Sequence, residues 1–114
     1  MAIGIDKLIS DMKTAATQVL KTDVSTLRGF EERQMKAIAQ QAAFVEAGIL
    51  SGQITEETRD FFLDGLEEMT LNFVKTLRGL LMGTIEKVWN AVVGVIWKAI
   101  EASTGIVLRA PDIA

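Results

Sequence analysis

The chain has 114 residues, a net charge of −3 and 49% hydrophobic residues, and it contains no cysteine, histidine or tyrosine. Without cysteine there is no disulfide framework and no thiol nucleophile, and without histidine the most common general base and metal ligand is missing. Serine–histidine triads and the Glu-x-x-His di-iron sites of helical bundles are therefore excluded. We expect a non-enzymatic protein with no cofactor and no metal.

The negative charge is concentrated between residues 51 and 78, where acids outnumber bases, whereas the rest of the chain is balanced. No basic stripe is present to neutralise a phosphate backbone, so nucleic acid is not an expected partner. Adjacent acids such as Glu67 and Glu68 diverge by about 100° on a helix, so they do not converge on one substrate. The acids predict a solvated helix face.

The first half of the chain predicts two helices. Apolar residues recur at steps of three and four over residues 5–21 and again over 25–49, which is typical of one buried helix face. Residues 48–55 then interrupt the pattern with two glycines, and Thr55 is a good N-cap because its hydroxyl can accept a hydrogen bond from a first-turn N–H. Acids follow it in the first turn, where they complement the helix dipole. This segment predicts the tip of a helical hairpin.

The second half contains an eleven-residue repeat of apolar positions, exemplified by Leu63, Val74, Ile85 and Ile96. Eleven residues fit three helical turns, so the stripe stays on one face of a continuous helix. We therefore predict an all-α fold in which one long helix over about 55–103 forms the second arm of a hairpin, about 75 Å long. The alternative is a break near Gly79 and Gly83, which would give a four-helix bundle monomer.

The predicted organisation is a single helical domain over residues 1–105, followed by an apolar C-terminal tail over 106–114. A helix as long and apolar as 55–103 is too long for the rest of the chain to cover, so we expect homo-oligomeric packing to complete it. The protein's expected partner is therefore a second copy of itself. The predicted oligomer interface consists of Leu63, Leu66, Val74, Leu77, Leu81, Ile85, Val88, Val92 and Ile96.

Two further sets of residues in this half can each be interpreted in two ways. Gly79, Gly83 and Gly94 allow either close helix packing or a hinge, because glycine permits close backbone approach and also weakens a helix. Trp89 and Trp97 are either core side chains or membrane anchors. The sequence leaves both choices open.

The function that the sequence favours is a structural or assembly protein that self-associates through an apolar long helix. The alternative is a membrane-active amphipathic helical protein that inserts residues 79–100 into lipid, although the uncharged stretch there is about half of what a bilayer needs. A conventional transmembrane helix is therefore not expected. The N-terminus lacks a basic leader followed by an apolar run, so we expect no signal peptide and a cytoplasmic location or an assembled particle.

Overall fold

The computed structural model describes residues 3–111, and every regular element in that range is a helix. The elements are α1 (Ile5–Leu20), a 3₁₀ turn (Val24–Thr26), α2 (Glu32–Ser51), α3 (Glu56–Thr76) and α4 (Met82–Thr104). Helices α1 and α4 pack against each other, α3 packs against α2 and α4, and α2 also contacts α1 and α4. The Cα atoms of this bundle extend 41 × 28 × 19 Å.

The prediction of one continuous helix over 55–103 is wrong, because α3 ends at Thr76 and α4 begins at Met82. Between them Gly79 adopts a left-handed conformation with φ of +82°, which no helix accommodates. Of the stripe that spans this break, Leu63, Val74 and Ile96 are buried and Ile85 is half-buried. The structure fits the alternative, a four-helix bundle with a break near Gly79 and Gly83, although Gly83 itself lies inside α4.

The other boundaries lie close to the predicted positions, with one difference. The predicted hairpin tip at residues 48–55 lies between α2 and α3, where Gly52 has a φ of +80° and Thr55 is the N-cap of α3. The Thr55 N–H donates a hydrogen bond to Thr58 Oγ1 at 3.0 Å, which satisfies one free amide of the first turn. Helix α2 begins at Glu32 instead of near residue 25, because the 3₁₀ turn and Gly29, with φ of +88°, precede it.

The core is continuous through the bundle, and α4 contributes its largest side chains. The apolar second half, for which the sequence predicted an oligomeric cover, is covered by helices of the same chain. This is possible because the break at Gly79 folds α4 back along α3. The core side chains from α4 are Val88, Trp89, Val92, Val93, Ile96, Trp97 and Ile100.

The two connections at one end of the bundle are repeats of each other. Residues 26–29 read Thr-Leu-Arg-Gly, and the same four residues recur at 76–79. The backbone repeats as well, since Leu27 (φ −74°, ψ 142°) matches Leu77 (φ −70°, ψ 130°). Both leucine N–H groups donate hydrogen bonds of 3.1 Å to the carbonyl three residues earlier. The chain is thus two helix–turn–helix units, α1 with α2 and α3 with α4.

These two turns contact each other directly. The Arg78 N–H donates a hydrogen bond of 2.8 Å to the Arg28 carbonyl. A Cβ placed on Gly29 would lie 1.9 Å from the Thr76 carbonyl oxygen, whereas a Cβ on Gly79 would meet nothing within 4 Å. Gly29 is therefore required both by its left-handed backbone and by the second turn packed on it, while Gly79 is required by its backbone alone.

This asymmetry gives a matched pair of variants. Gly79→Ala should lower the free energy of unfolding by roughly 1–2 kcal/mol, the cost of a left-handed alanine. Gly29→Ala should cost about 2–5 kcal/mol, because a backbone overlap is added to the same conformational cost. Urea denaturation followed by far-UV circular dichroism measures both. Equal losses would show that the two turns do not pack as described.

Candidate functional site

The predicted oligomer interface lies mostly inside the single chain. All but two of its nine residues are fully buried among α1 to α4. Ile85 is half-buried, and Leu81, at the start of α4, is 79% exposed. Only Leu81 is therefore freely available at the surface for contact with a partner. The buried members are Leu63, Leu66, Val74, Leu77, Val88, Val92 and Ile96.

The three glycines predicted for close helix packing or a hinge take different places. Gly79 forms the turn between α3 and α4, as the hinge interpretation requires. Gly83 and Gly94 face open space, because a Cβ on either would meet nothing within 4 Å. Close approach occurs instead at Gly29 and at Gly48, where a Cβ would lie 2.5 Å from the Ile54 side chain.

Trp89 and Trp97, predicted as core or membrane anchors, are both buried. The Trp89 indole N–H donates a hydrogen bond to the Glu67 carbonyl at 3.0 Å. The Trp97 indole N–H donates to the Arg109 carbonyl at 2.8 Å. Both polar atoms are satisfied within the chain, which is typical of tryptophan in a core.

The apolar tail predicted over residues 106–114 is described up to Pro111, and residues 112–114 lie outside the described range. Arg109 holds the described part on the bundle. The Arg109 guanidinium contacts three carboxylates of α3: Glu67 at 3.0 Å, Asp64 at 2.6 Å and Asp60 at 3.4 Å. Hydrogen bonds to Glu67 raise the pKa of Arg109 above its ordinary value, and the negative charges of Asp64 and Asp60 add to the effect. One cation therefore ties the tail to α3, and these acids form a structural ion-pair network. The tail is also held by burial of Leu108 and by a hydrogen bond of 2.8 Å from the Leu108 N–H to Glu101.

A second polar contact closes the same end of the bundle. Glu46 of α2 is buried, and its carboxylate accepts hydrogen bonds from the Ile3 N–H at 3.2 Å and from the Ser103 hydroxyl. Ile3 lies at the start of the described chain, Glu46 in α2 and Ser103 at the end of α4, so this contact joins three segments. A buried carboxylate needs such donors because burial removes its water.

An open groove of about 570 Å³ runs between α1 and α4. Its volume is in the range of small-molecule sites. Lys7 and Asp11 at its rim are already paired with each other at 2.8 Å. Among residues 3–111, no group of three or more acidic side chains is arranged to hold a metal ion.

The largest exposed aromatic surface, here called the aromatic face, consists of Phe44 on α2 with Phe61 and Phe62 on α3. The ring centroids of Phe44 and Phe62 lie 6.3 Å apart, and those of Phe61 and Phe62 lie 5.4 Å apart. Phe44 is 58% exposed and Phe61 is 76% exposed. With about 200 Å² per side chain, these two rings present about 270 Å² of apolar area to solvent. This area is close to the lower end of the roughly 300–600 Å² of the largest apolar patch on a typical monomer, which is often functional.

A second exposed surface, here called the two-turn end, is formed by residues 26–32 and 76–82. Leu81 and Met82 are exposed there, Met82 by 65%. Arg28 and Arg78, joined through their backbones, are exposed on the same surface, and neither forms an ion pair within residues 3–111. Glu31 and Glu32 are exposed there as well, and Glu32 forms an ion pair with Lys13. Two arginines against Glu31, which forms no ion pair within residues 3–111, leave the two-turn end apolar and weakly basic.

Charge is distributed unequally along the bundle. Basic residues exceed acidic residues toward the two-turn end, and acidic residues exceed basic residues toward the opposite end, where α3 begins. The basic set is Lys21, Arg28, Arg33, Lys36, Lys75, Arg78 and Lys87, against Asp23, Glu31, Glu32 and Glu86. The acidic set is Asp6, Asp11, Glu46, Glu56, Glu57, Asp60, Asp64 and Glu101, against Lys7, Arg59, Lys98 and Arg109.

Comparisons with protein-family models, with curated proteins and with solved structures found no match to this chain. Within residues 3–111, no helix has both the length and the hydropathy needed to cross a membrane. Functional inference therefore depends on the surfaces described above.

Sequence reasoning missed the aromatic face, the paired turns and the Arg109 contacts. The repeated Thr-Leu-Arg-Gly at 26–29 and 76–79 was a readable signal for the turns, because a repeated motif implies a repeated local structure. The partners of Arg109 lie more than 40 residues away in sequence, and no local pattern identifies such a contact.

Arg109→Gln should loosen the tail, which keeps its backbone hydrogen bonds to Trp97 and Glu101, and lower the free energy of unfolding by about 1–2 kcal/mol. The value is at the low end for charged hydrogen bonds because Asp60 and Asp64 are largely exposed. Limited proteolysis of the C-terminus and urea denaturation measure the two effects. Arg78→Gln is the matched control, since Arg78 is exposed and forms no ion pair within residues 3–111. An equally protected tail in both variants would contradict the assigned role of Arg109.

Proposed function

We propose that this protein is a non-enzymatic assembly module that self-associates through surface side chains left outside its core. The observation that supports the proposal is the exposure of Phe44 and Phe61 in one cluster. A helical bundle does not need exposed phenylalanines for its own stability, and aromatic side chains are enriched where partners bind. The proposed interface is therefore the aromatic face, since most of the originally predicted interface is used inside the chain.

The size of the aromatic face sets the expected strength of association. Burying about 270 Å² of apolar surface contributes about 7 kcal/mol at 25 cal/mol/Å². Association itself costs about 4–15 kcal/mol in lost translational and rotational freedom. The two terms are comparable, so the proposed assembly is reversible and depends on protein concentration.

Light scattering on a size-exclusion column over a hundredfold concentration range tests self-association. We expect the wild-type mass to rise above 12.5 kDa with concentration, and the double variant Phe44→Ser, Phe61→Ser to stay monomeric. Val107→Ser is the matched control, because Val107 is an apolar side chain that is 86% exposed and lies outside the aromatic face. A wild-type chain that remains monomeric at every concentration would refute the proposed function.

A second candidate is a membrane-active protein that inserts residues 79–100 into lipid. Two exposed side chains at the start of this segment, Leu81 and Met82, favour it. Most of the segment's other large apolar side chains are buried in the bundle. Insertion beyond the first turn therefore requires α4 to separate from α1 and α3, which exposes apolar surface on both sides and is costly in water.

Vesicles containing brominated acyl chains test this candidate, because bromine quenches only those tryptophans that reach the acyl region. Insertion of residues 79–100 would bring Trp89 and Trp97 into contact with lipid, so their emission would fall on addition of vesicles. The variant Leu81→Glu, Met82→Glu should reduce the quenching. Unchanged emission at saturating lipid would exclude insertion of this segment.

A further inference from the structure

We infer that the copies associate head to tail, with the two-turn end of one copy docked on the aromatic face of the next. This inference rests on the proposed self-association and specifies its geometry. The two-turn end presents Leu81 and Met82, and the aromatic face presents Phe44 and Phe61. Each surface exposes apolar side chains, and contact between the two would bury both sets.

Charge complementarity supports this pairing over contact between two aromatic faces. Glu57 and Glu68 lie one turn and two turns from Phe61 along α3, on neighbouring positions of the same helix side. Both are exposed and form no ion pair within residues 3–111. Two aromatic faces in contact would bring these carboxylates together in pairs, whereas a two-turn end brings Arg28 and Arg78 to them. Of the two acids at that end, Glu32 is already paired with Lys13, so Glu31 alone opposes the two arginines. Opposite charges fix the partner and its orientation.

The first turn can be compared with the second to show whether the turn itself requires the exposed Leu81 and Met82. Glu31 and Glu32 follow the first Thr-Leu-Arg-Gly at the positions where Leu81 and Met82 follow the second. The backbone angles match at Leu27 and Leu77, both turns precede a helix, and Glu31 (φ −132°) and Leu81 (φ −75°) are both extended N-cap residues. The fold thus accepts charged residues at these positions, and the exposed leucine and methionine of the second turn are not required by the turn itself.

The position of the two surfaces determines what kind of assembly forms. Phe61 lies near the start of α3, in the half of the bundle opposite the two-turn end. Because the two contact surfaces differ, the interface is heterologous and generates either a closed ring or an open filament. The end of the bundle measures about 28 × 19 Å across its Cα atoms, so its footprint of roughly 500 Å² is below the ~800 Å² per partner of a standard interface. Assembly is therefore weak at each contact and sensitive to salt.

Two variants, each lacking one surface, test the head-to-tail contact. The turn variant Leu81→Glu, Met82→Glu gives the second turn the residues of the first, and the face variant Phe44→Ser, Phe61→Ser removes the aromatic rings. Circular dichroism and urea denaturation establish that both are folded before their masses are measured. Val107→Ser again serves as the control for loss of an exposed apolar side chain.

We expect each variant alone to be monomeric, and their equimolar mixture to form a dimer of twice 12.5 kDa that cannot grow. The mixture restores one intact contact between the wild-type turn of one variant and the wild-type aromatic face of the other. If the turn variant retains the wild-type mass while the face variant is monomeric, the head-to-tail contact is refuted and self-association through the aromatic face stands. A mixture that stays monomeric also refutes the head-to-tail contact, and a monomeric wild-type chain refutes both proposals.

Discussion

The contact between the two Thr-Leu-Arg-Gly turns is the constraint on which the arrangement of the helices depends. The Arg78 N–H bonds to the Arg28 carbonyl, and the missing Cβ of Gly29 leaves room for the Thr76 carbonyl. Backbone groups hold both turns, so the side chains around them are free to vary. The contact fixes where α2 and α4 begin, and both helices then run from this point into the common core.

The opposite end of the bundle is closed by a different kind of interaction. There, charged side chains bridge segments that are distant in sequence, through Glu46 with Ser103 and through Arg109 with three acids of α3. Backbone hydrogen bonds and close packing do not respond to salt, whereas exposed ion pairs are screened by it. The two ends of one small bundle therefore differ in how their stability responds to ionic strength and to the charge state of carboxylates.

The sequence allowed the all-helical class and the turn near Thr55 to be predicted, because apolar periodicity and helix capping are local signals. It did not distinguish a continuous helix from a break at Gly79, because in this chain the eleven-residue spacing of apolar residues persists across the turn between α3 and α4. Gly79 has a left-handed φ because it lies in a turn. The presence of a glycine in the sequence does not by itself predict such a turn. The exposure of Phe61 and the partners of Arg109 depend on how the four helices are arranged, so periodicity contains no information about them.

The pairing of α1 with α4 affects the order in which the chain becomes structured during synthesis. Helix α1 packs most extensively on α4, which is synthesised after α1, α2 and α3. Contacts between such distant segments form slowly because a long loop must first be closed. Helices α2 and α3 are therefore synthesised while α1 still lacks its main partner, and the buried face of α1, with Leu8, Met12 and Ala16, stays accessible to chaperones until α4 has been synthesised.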